Sequence, residues 1–244
     1  MRSLILSDIH ANWEGLEAVL SHASEKYDRI LCCGDLVGYG ADPNRVVEWV
    51  RANAAAVVRG NHDKACAGLD DLERFNPVAK RAALWTLQTL GAENLEYLKN
   101  LPRGPETLGS FQILHGSPMD EDEYLITEQD AVQAFPYVEQ AISFFGHTHI
   151  QGGFGAKDWL VRRIPGVAGE SFGLELENEA LYLINPGSVG QPRDGDPRAA
   201  YAIYDEDHAR VMYWRVGYDL AGAQRKIIDA GLPETLATRL AAGM

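Results

Sequence analysis

The sequence predicts an α/β fold, and three observations carry that expectation. Short apolar runs alternate with helix-period patterns through the first 150 residues, as crossover connections in a largely parallel sheet require. In the last third, apolar runs follow one another across short turns. The chain of 244 residues, 46% hydrophobic and 23% charged, is long enough to bury one large core, or a core with a small appendage.

Leu4-Ile5-Leu6 reads as the first strand. A helix follows with Trp13, Leu16, Val19, Leu20 and Ala23 on one face. Ile30 to Cys33 is the second strand, and Asp42-Pro43 supplies an N-cap and a first-turn proline for a helix carrying Val46, Val47 and Val50. Ala55 to Val58 is a third strand. Val78, Ala82, Trp85 and Thr89 mark a longer helix, and Leu95 with Leu98 a shorter one. Phe111 to Leu114 and Ala141 to Phe145 read as strands on either side of a helix around Thr127 to Phe135. Between Gly152 and Glu179 the pattern is glycine-rich and weakly periodic, and loops with short strands are expected. Ala180 to Ile184, Ala199 to Tyr204 and Val211 to Val216 are the late strands. Two helices close the chain, over Leu220 to Ala230 and from Pro233. The chain is expected to form one domain over 1–244, with about 218–244 as its C-terminal extension.

Charge and composition exclude several classes. Lys plus Arg number 22 against 35 Asp plus Glu, a formal charge of −13, which disfavours wrapping a long nucleic acid. A small phosphorylated substrate stays compatible, because metal ions can reverse the field locally. No apolar stretch approaches the roughly 20 residues that span a bilayer, and the first residues meet a charge too soon for a signal peptide. Three cysteines, two adjacent at Cys32 and Cys33, form no disulfide framework and suit a reducing compartment. A cytoplasmic protein is expected.

Five apolar runs in the first 150 residues end in metal-capable groups: Ser7-Asp8-Ile9-His10, Gly34-Asp35, Arg59-Gly60-Asn61-His62-Asp63, His115-Gly116 and Gly146-His147-Thr148-His149. Sites in open α/β sheets lie beyond the carboxyl ends of strands, so these groups should converge. Of seven histidines, five (His10, His62, His115, His147, His149) occupy these ends. A single such histidine is ordinarily a surface or hydrogen-bonded core residue; five at one topological position are not. His22 and His208 lack this context. In extended backbone, residues i and i+2 share a side, so Asp8/His10 and His147/His149 can each present two ligands in one direction. Glycines beside these groups, at 34, 60, 116 and 146, allow close approach of backbone. Imidazole, carboxylate and amide donors without a positioned thiolate suit Mn, Fe, Co, Ni or Zn. Asp8, His10, Asp35, Asn61, His115, His147 and His149 exceed what one ion takes, so two ions with one shared carboxylate are expected.

Asp-x-His, Gly-Asp, Gly-Asn-His-Asp, His-Gly and Gly-His-x-His, in that order, resemble the five blocks of the calcineurin-like metallophosphoesterase superfamily. Each block alone is unspecific; the ordered set, spanning Asp8 to His149, is highly specific. Ser-Asp-Ile-His-Ala-Asn at 7–12 and Asn-Pro-Gly-Ser-Val at 185–189 resemble its small one-domain bacterial and archaeal branch, which includes phosphodiesterases. The resemblance implies a four-layer α/β/β/α sandwich of two mixed sheets with the metal site at the carboxyl ends of the strands, the late strands lying in the second sheet. It implies a first metal on Asp8, His10, Asp35 and His149, and a second on Asp35, Asn61, His115 and His147. His62 matches the proton donor, and Asp63 the acidic residue beside it. The expected cofactors are two divalent transition-metal ions, manganese first. The expected activity is hydrolysis of a small phosphorylated or nucleotide substrate, most simply a phosphodiester, by attack of a metal-bridging hydroxide.

Dinucleoside polyphosphate hydrolysis and phosphomonoester or protein phosphatase activity use the same chemistry and stay open. So do a non-catalytic scaffold, as in a retromer coat subunit that resembles these enzymes, and a redox-active di-iron protein. A scaffold has no need of seven intact ligands plus His62. Arg193 is a candidate phosphate contact or an exposed loop arginine. Asn12 is a substrate contact or a helix cap. Tyr124 and Asp120 to Glu123 read as a solvated loop more than as a cleft rim. Cys32 and Cys33, and the aromatic Tyr201, Tyr204, Tyr213 and Trp214, read as core.

Overall fold

The computed structural model describes residues 1–244. In chain order the elements are β1 (Arg2–Leu6), α1 (Trp13–Ala23), β2 (Arg29–Cys32), α2 (Pro43–Asn53), β3 (Ala56–Val57), α3 (Asn61–Cys66), α4 (Pro77–Thr89) and α5 (Ala92–Lys99). They continue as β4 (Glu106–Leu108), β5 (Phe111–Ile113), α6 (Glu128–Ala134), β6 (Ile142–Phe144), β7 (Gly152–Lys157), β8 (Leu160–Ile164), β9 (Ser171–Glu175) and β10 (Leu181–Asn185). β11 (Ala199–Asp205), β12 (Arg210–Val216), α7 (Leu220–Asp229) and α8 (Glu234–Ala242) complete the chain.

Two mixed six-stranded sheets form, in the orders β3-β2-β1-β11-β12-β9 and β4-β5-β6-β10-β7-β8. Strand alternation sorts β1 between two cores: Leu4 and Leu6 face α1 and α2, while Ile5 faces the other sheet. Each of these side chains is fully buried, which stabilises the fold by roughly 1.5–3 kcal/mol apiece. The inter-sheet core takes Leu31 and Cys33 from β2 and the residue after it, and Phe111, Phe144, Ile184, Tyr204 and Tyr213 from the other strands. Across the second sheet, Ala131 and Ala134 of α6 with Phe135 cover Leu114, Phe145, Phe154 and Leu183. The four layers are therefore helices, sheet, sheet and a thin helical cover.

The late strands divide between the sheets instead of sharing the second one. β10 lies there, parallel to β6. β11 pairs antiparallel with β1, Leu4 opposite Ile203, and β12 pairs with β11. Burial explains the placement: Ala199 to Tyr204 is buried on both faces, as a central strand must be. The weakly patterned stretch 152–179 folds into β7, β8 and β9. Asp42 begins α2, but its carboxylate makes no cap hydrogen bond and meets Lys226 of α7 at 2.7 Å. Cys32, Cys33 and Cys66 are free and buried. No helix is long and apolar enough to cross a membrane.

Candidate metal centre

The parallel strands β1, β2, β3, β5 and β6 carry the metal-capable residues just past their carboxyl ends, and the two sheets bring those ends together. One group comprises Asp8, His10, Asp35 and His149, its donor atoms all within 4.8 Å of one another; a second, equally tight, comprises Asp35, His115 and His147. Asp35 belongs to both. Its Oδ2 lies 3.5 Å from His10 Nε2 and 3.4 Å from His115 Nε2. Asn61 Oδ1 is 3.2 Å from His115 Nε2, so it joins the second group.

The convergence does not come from extended backbone, as the i, i+2 spacing assumed. Asp8, His10, Asp35, His147 and His149 have φ of 51°, 48°, 54°, 65° and 59°, in the left-handed region that side chains seldom adopt. Such conformations cost free energy and persist where surrounding structure imposes them. Two glycines permit the approach: a Cβ on Gly60 would overlap the Asp35 carboxylate, and one on Gly146 would overlap Ser7 Oγ. The Asn-Pro-Gly-Ser turn braces the loops from behind. Asn185 Nδ2 donates to Gly146 O at 2.9 Å, and Ser188 Oγ donates to Asp8 O at 2.7 Å.

Hydrogen bonds to the outer ring nitrogens orient the imidazoles. His10, His115 and His149 donate from Nδ1 to the carbonyls of Val37, Cys33 and Gln191, which leaves Nε2 for a cation. His147 instead donates from Nε2 to Asp122 O at 3.1 Å, leaving Nδ1. The unprotonated Nε2 atoms of His10 and His149 then face each other at 3.0 Å, a repulsive contact unless a cation is shared between them. Asp8 Oδ2 and Asp35 Oδ2 are buried with no hydrogen-bond partner. Paired lone pairs, unpartnered carboxylate oxygens and the absence of thiolate fit divalent transition metals.

Electrostatics say the same. Burial pushes the Asp8 carboxyl up to about 7, with His115 opposing and Asp35 reinforcing. Burial acts likewise on Asp35, but His115 and then His62 outweigh it and hold Asp35 well below the usual carboxylate range. Burial drives His10 and His149 well down, and His147 to about 3, so all three imidazoles are neutral, the form a metal would take. His115 resists burial: Asp35 and Asp8 raise it to about 10, placing a positive charge where a metal would displace a proton.

His62 lies at the edge of the cage, its ring 4.9 Å from His10, 4.3 Å from Tyr39 and 4.9 Å from Phe75. Its amide donates to Asp35 Oδ1 at 2.8 Å. Asp63, the acidic residue beside it, makes no hydrogen bond to its ring. The Asp63 carboxylate accepts from Leu36 N and Val37 N through Oδ1 and from Gly60 N through Oδ2, so it fastens the Asp35 loop to the start of α3. Asn12 caps α1: Oδ1 accepts from Gly15 N and Nδ2 donates to Gly190 O. Arg193 is half-buried, with Nη2 3.4 Å from the Tyr39 hydroxyl.

The loop 120–123 is more than a solvated rim. Glu121 is buried against Arg59 at 2.8 Å, and Asp122 meets Lys64 at 2.8 Å while its carbonyl holds His147. Tyr124 stacks on His147 at 3.8 Å. Tyr39 and Phe75 also went unsuspected; the only local signal was the Gly38-Tyr39-Gly40 run, which places an aromatic in a tight turn beside Asp35.

Comparison with known proteins agrees with this geometry. The chain is 37% identical to an uncharacterized protein of Methanocaldococcus jannaschii, over 98% of this chain and 97% of that one. It superposes on the crystal structure of a metallophosphoesterase from Sphaerobacter thermophilus with a TM-score of 0.87 and 43% identity, covering 100% and 99% of the two chains. A hypothetical protein from Pyrococcus horikoshii OT3 shares the fold at a TM-score of 0.79 and 21% identity, over 100% and 98%. The model of the calcineurin-like phosphoesterase superfamily domain matches residues 1–209, and the chain belongs to that superfamily.

Proposed function

We propose that this protein hydrolyses a small phosphorylated or nucleotide substrate, most simply a phosphodiester, with Asp8, His10, Asp35 and His149 holding one divalent transition-metal ion and Asp35, Asn61, His115 and His147 a second. The supporting observation is the position of Asp35 Oδ2, buried, without a partner and reached by imidazoles of both groups. The nitrogen and oxygen donors suit Mn, Fe, Co, Ni or Zn alike, and manganese is the metal to try first. When bound, such a pair supplies Lewis acidity toward phosphoryl oxygens and brings the pKa of water toward neutrality.

The chain's own residues then have distinct tasks. Backbone carbonyls of Val37, Cys33, Gln191 and Asp122 keep four imidazoles aimed inward. The His62 amide occupies Asp35 Oδ1 and reserves Oδ2 for the cations. His62 Nδ1 is sealed without a partner, which leaves Nε2 as the nitrogen open to substrate. Burial lowers His62 to about 4; an anionic phosphoryl group placed against it favours the protonated ring, which can pass its proton to the leaving oxygen. Arg193 contributes a guanidinium for phosphate oxygens. Free buried cysteines support a cytoplasmic setting.

Metal content and hydrolysis together test this reading. Protein purified without chelator should hold close to two ions per chain and cleave bis(p-nitrophenyl) phosphate after manganese addition. Asp35→Asn should lose metal and activity together. Wild type inactive on diesters, monoesters and dinucleoside polyphosphates under every reconstituted metal would transfer the fold to a scaffold role, and full activity in Asp35→Asn would refute the shared carboxylate.

A further inference from the structure

We propose that Tyr39 is a positioning residue: with Gln191 it holds the Arg193 guanidinium, its charge uncancelled, for the phosphoryl group at the metal centre. The proposal rests on the phosphoesterase reading above and adds to it the means by which Arg193 is aimed.

Arg193 is fixed to the cage through its own loop. Its amide donates to His149 O at 3.2 Å, and the carbonyl of Gln191, two residues earlier, accepts from His149 Nδ1. Gln191 N donates to Ser188 Oγ at 2.7 Å, and the same hydroxyl donates to Asp8 O. The backbone at Arg193 is therefore set relative to His149 and Asp8, two residues of the first group.

Its side chain is held differently from the other arginines of this region. Arg198 pairs with Asp196 and Arg215 with Asp194, so the two acids that follow Arg193 in the loop are committed to other cations. Arg193 itself has no Asp or Glu carboxylate within 4.0 Å. Its partners are neutral: Nη2 donates to Gln191 Oε1 at 3.2 Å and to the Tyr39 hydroxyl at 3.4 Å. These two bonds use both hydrogens of Nη2 and leave those of Nη1. Nε is buried without a partner. An amide and a phenol fix a guanidinium without cancelling its charge, whereas a carboxylate would do both. A half-buried cation left in that state is costly until an anion completes it, and the planar fork suits phosphate oxygens.

Tyr39 is placed for this task. It is buried with φ of 63°, in the left-handed region, where a bulky side chain is an outlier. Its ring lies 4.7 Å from His10 and 4.3 Å from His62, with the Arg193 guanidinium 5.8 Å from its centre. It also belongs to the apolar cluster of Leu236 and Leu240 of α8. None of these contacts needs the hydroxyl, whose one hydrogen-bond partner is Arg193. Phenylalanine would keep the packing and lose only the hold on Arg193.

The test uses full-length, manganese-loaded protein as wild type, Tyr39→Phe, Arg193→Gln and the double variant. Hydrolysis of bis(p-nitrophenyl) phosphate gives kcat and KM, and inhibition by inorganic phosphate gives a binding constant. Tyr39→Phe should keep its metal content while KM and the phosphate inhibition constant rise about threefold to tenfold, the net worth of one hydrogen bond. kcat should change little, because a guanidinium on a non-reacting oxygen binds substrate and transition state alike. Arg193→Gln should raise both constants further, and adding Tyr39→Phe to it should change neither, since the phenol acts through Arg193. Wild-type constants in Tyr39→Phe, a fall in kcat alone, or a second independent loss in the double variant overturns the assignment and leaves the phosphoesterase reading standing. Failure of the wild type to cleave diesters, monoesters and dinucleoside polyphosphates overturns the reading beneath it.

Discussion

His62 is enclosed by Tyr39, Phe75 and His10, tied through its amide to Asp35, and free of any carboxylate partner. Its role is therefore separable from metal binding. His62→Ala should keep both metals yet lose about 10²-fold or more in kcat on alkyl-type esters, whose leaving oxygen needs a proton. On p-nitrophenyl esters, whose phenolate leaves unaided, the loss should be much smaller; equal losses on both would end the proton-donor assignment. His22, on α1, gives a cleaner titration. Its Nδ1 meets the Tyr201 hydroxyl at 2.8 Å and its ring lies 5.1 Å from Trp214. Burial, then the charge on Lys26, lowers its pKa below 6.5. A histidine lowered in the fold binds protons more readily when unfolded, so the stability it lends is complete above 6.5 and drains away as pH falls through the folded value. NMR titration should give a His22 midpoint below 6.5, and His22→Gln should flatten the stability profile between pH 6.5 and its folded midpoint. A midpoint above 6.5 contradicts this packing.

Among the elements, α1 shows the structural task of a residue beside the metal centre. Asn12 caps Gly15 N and reaches Gly190 O, joining the helix start to the loop after the Asn-Pro-Gly-Ser turn. Asn12→Ala should cost about 1–2 kcal/mol in denaturant unfolding, as lost N-caps do, with KM little changed. A raised KM at undiminished stability would restore a substrate role. The helices and the parallel strands were legible because their signals are local: an apolar face at helical spacing, Pro43 at a first turn, Leu4 to Leu6 between polar neighbours. β7 was not, because Gly152-Gly153-Phe154-Gly155 carries too few side chains to show alternation. Structure supplies the reason: a Cβ on Gly153 would overlap the Leu183 carbonyl of the adjacent β10. β8 and β9 stand at sheet edges with mostly exposed side chains, so burial imposed no strong pattern on them. The metal-capable residues stood out since histidines concentrate at strand ends. Tyr39 and Glu121 did not, because their relevance comes from loops packing against those ends, which no nearby spacing records.

For the molecule as a whole, the pairing of β11 with β1 and the split of late strands between sheets are non-local, and local pattern could not choose between the two sheets. The same topology makes the metal centre a junction. Asp8, His10, Asp35 and Asn61 follow strands of the first sheet, and His115, His147 and His149 follow strands of the second. Cations held between them would link the two sheets in addition to the inter-sheet core, and any ligand bound only by the native state stabilises it by mass action, about 2.7 kcal/mol at a hundredfold excess over Kd. Manganese should raise the melting temperature of chelator-treated protein, and Asp35→Asn should abolish the gain. The pH dependence follows from the protons that must leave. With Asp8 near 7 and His115 near 10 in the metal-free fold, uptake at neutral pH releases protons, so the gain should be larger at pH 8 than at pH 6.5. Calorimetric titration in two buffers of different ionisation enthalpy measures that release directly. Metal binding with no proton release, or a thermal gain that shrinks as pH rises, would mean that the cations sit elsewhere than among Asp8, Asp35 and His115.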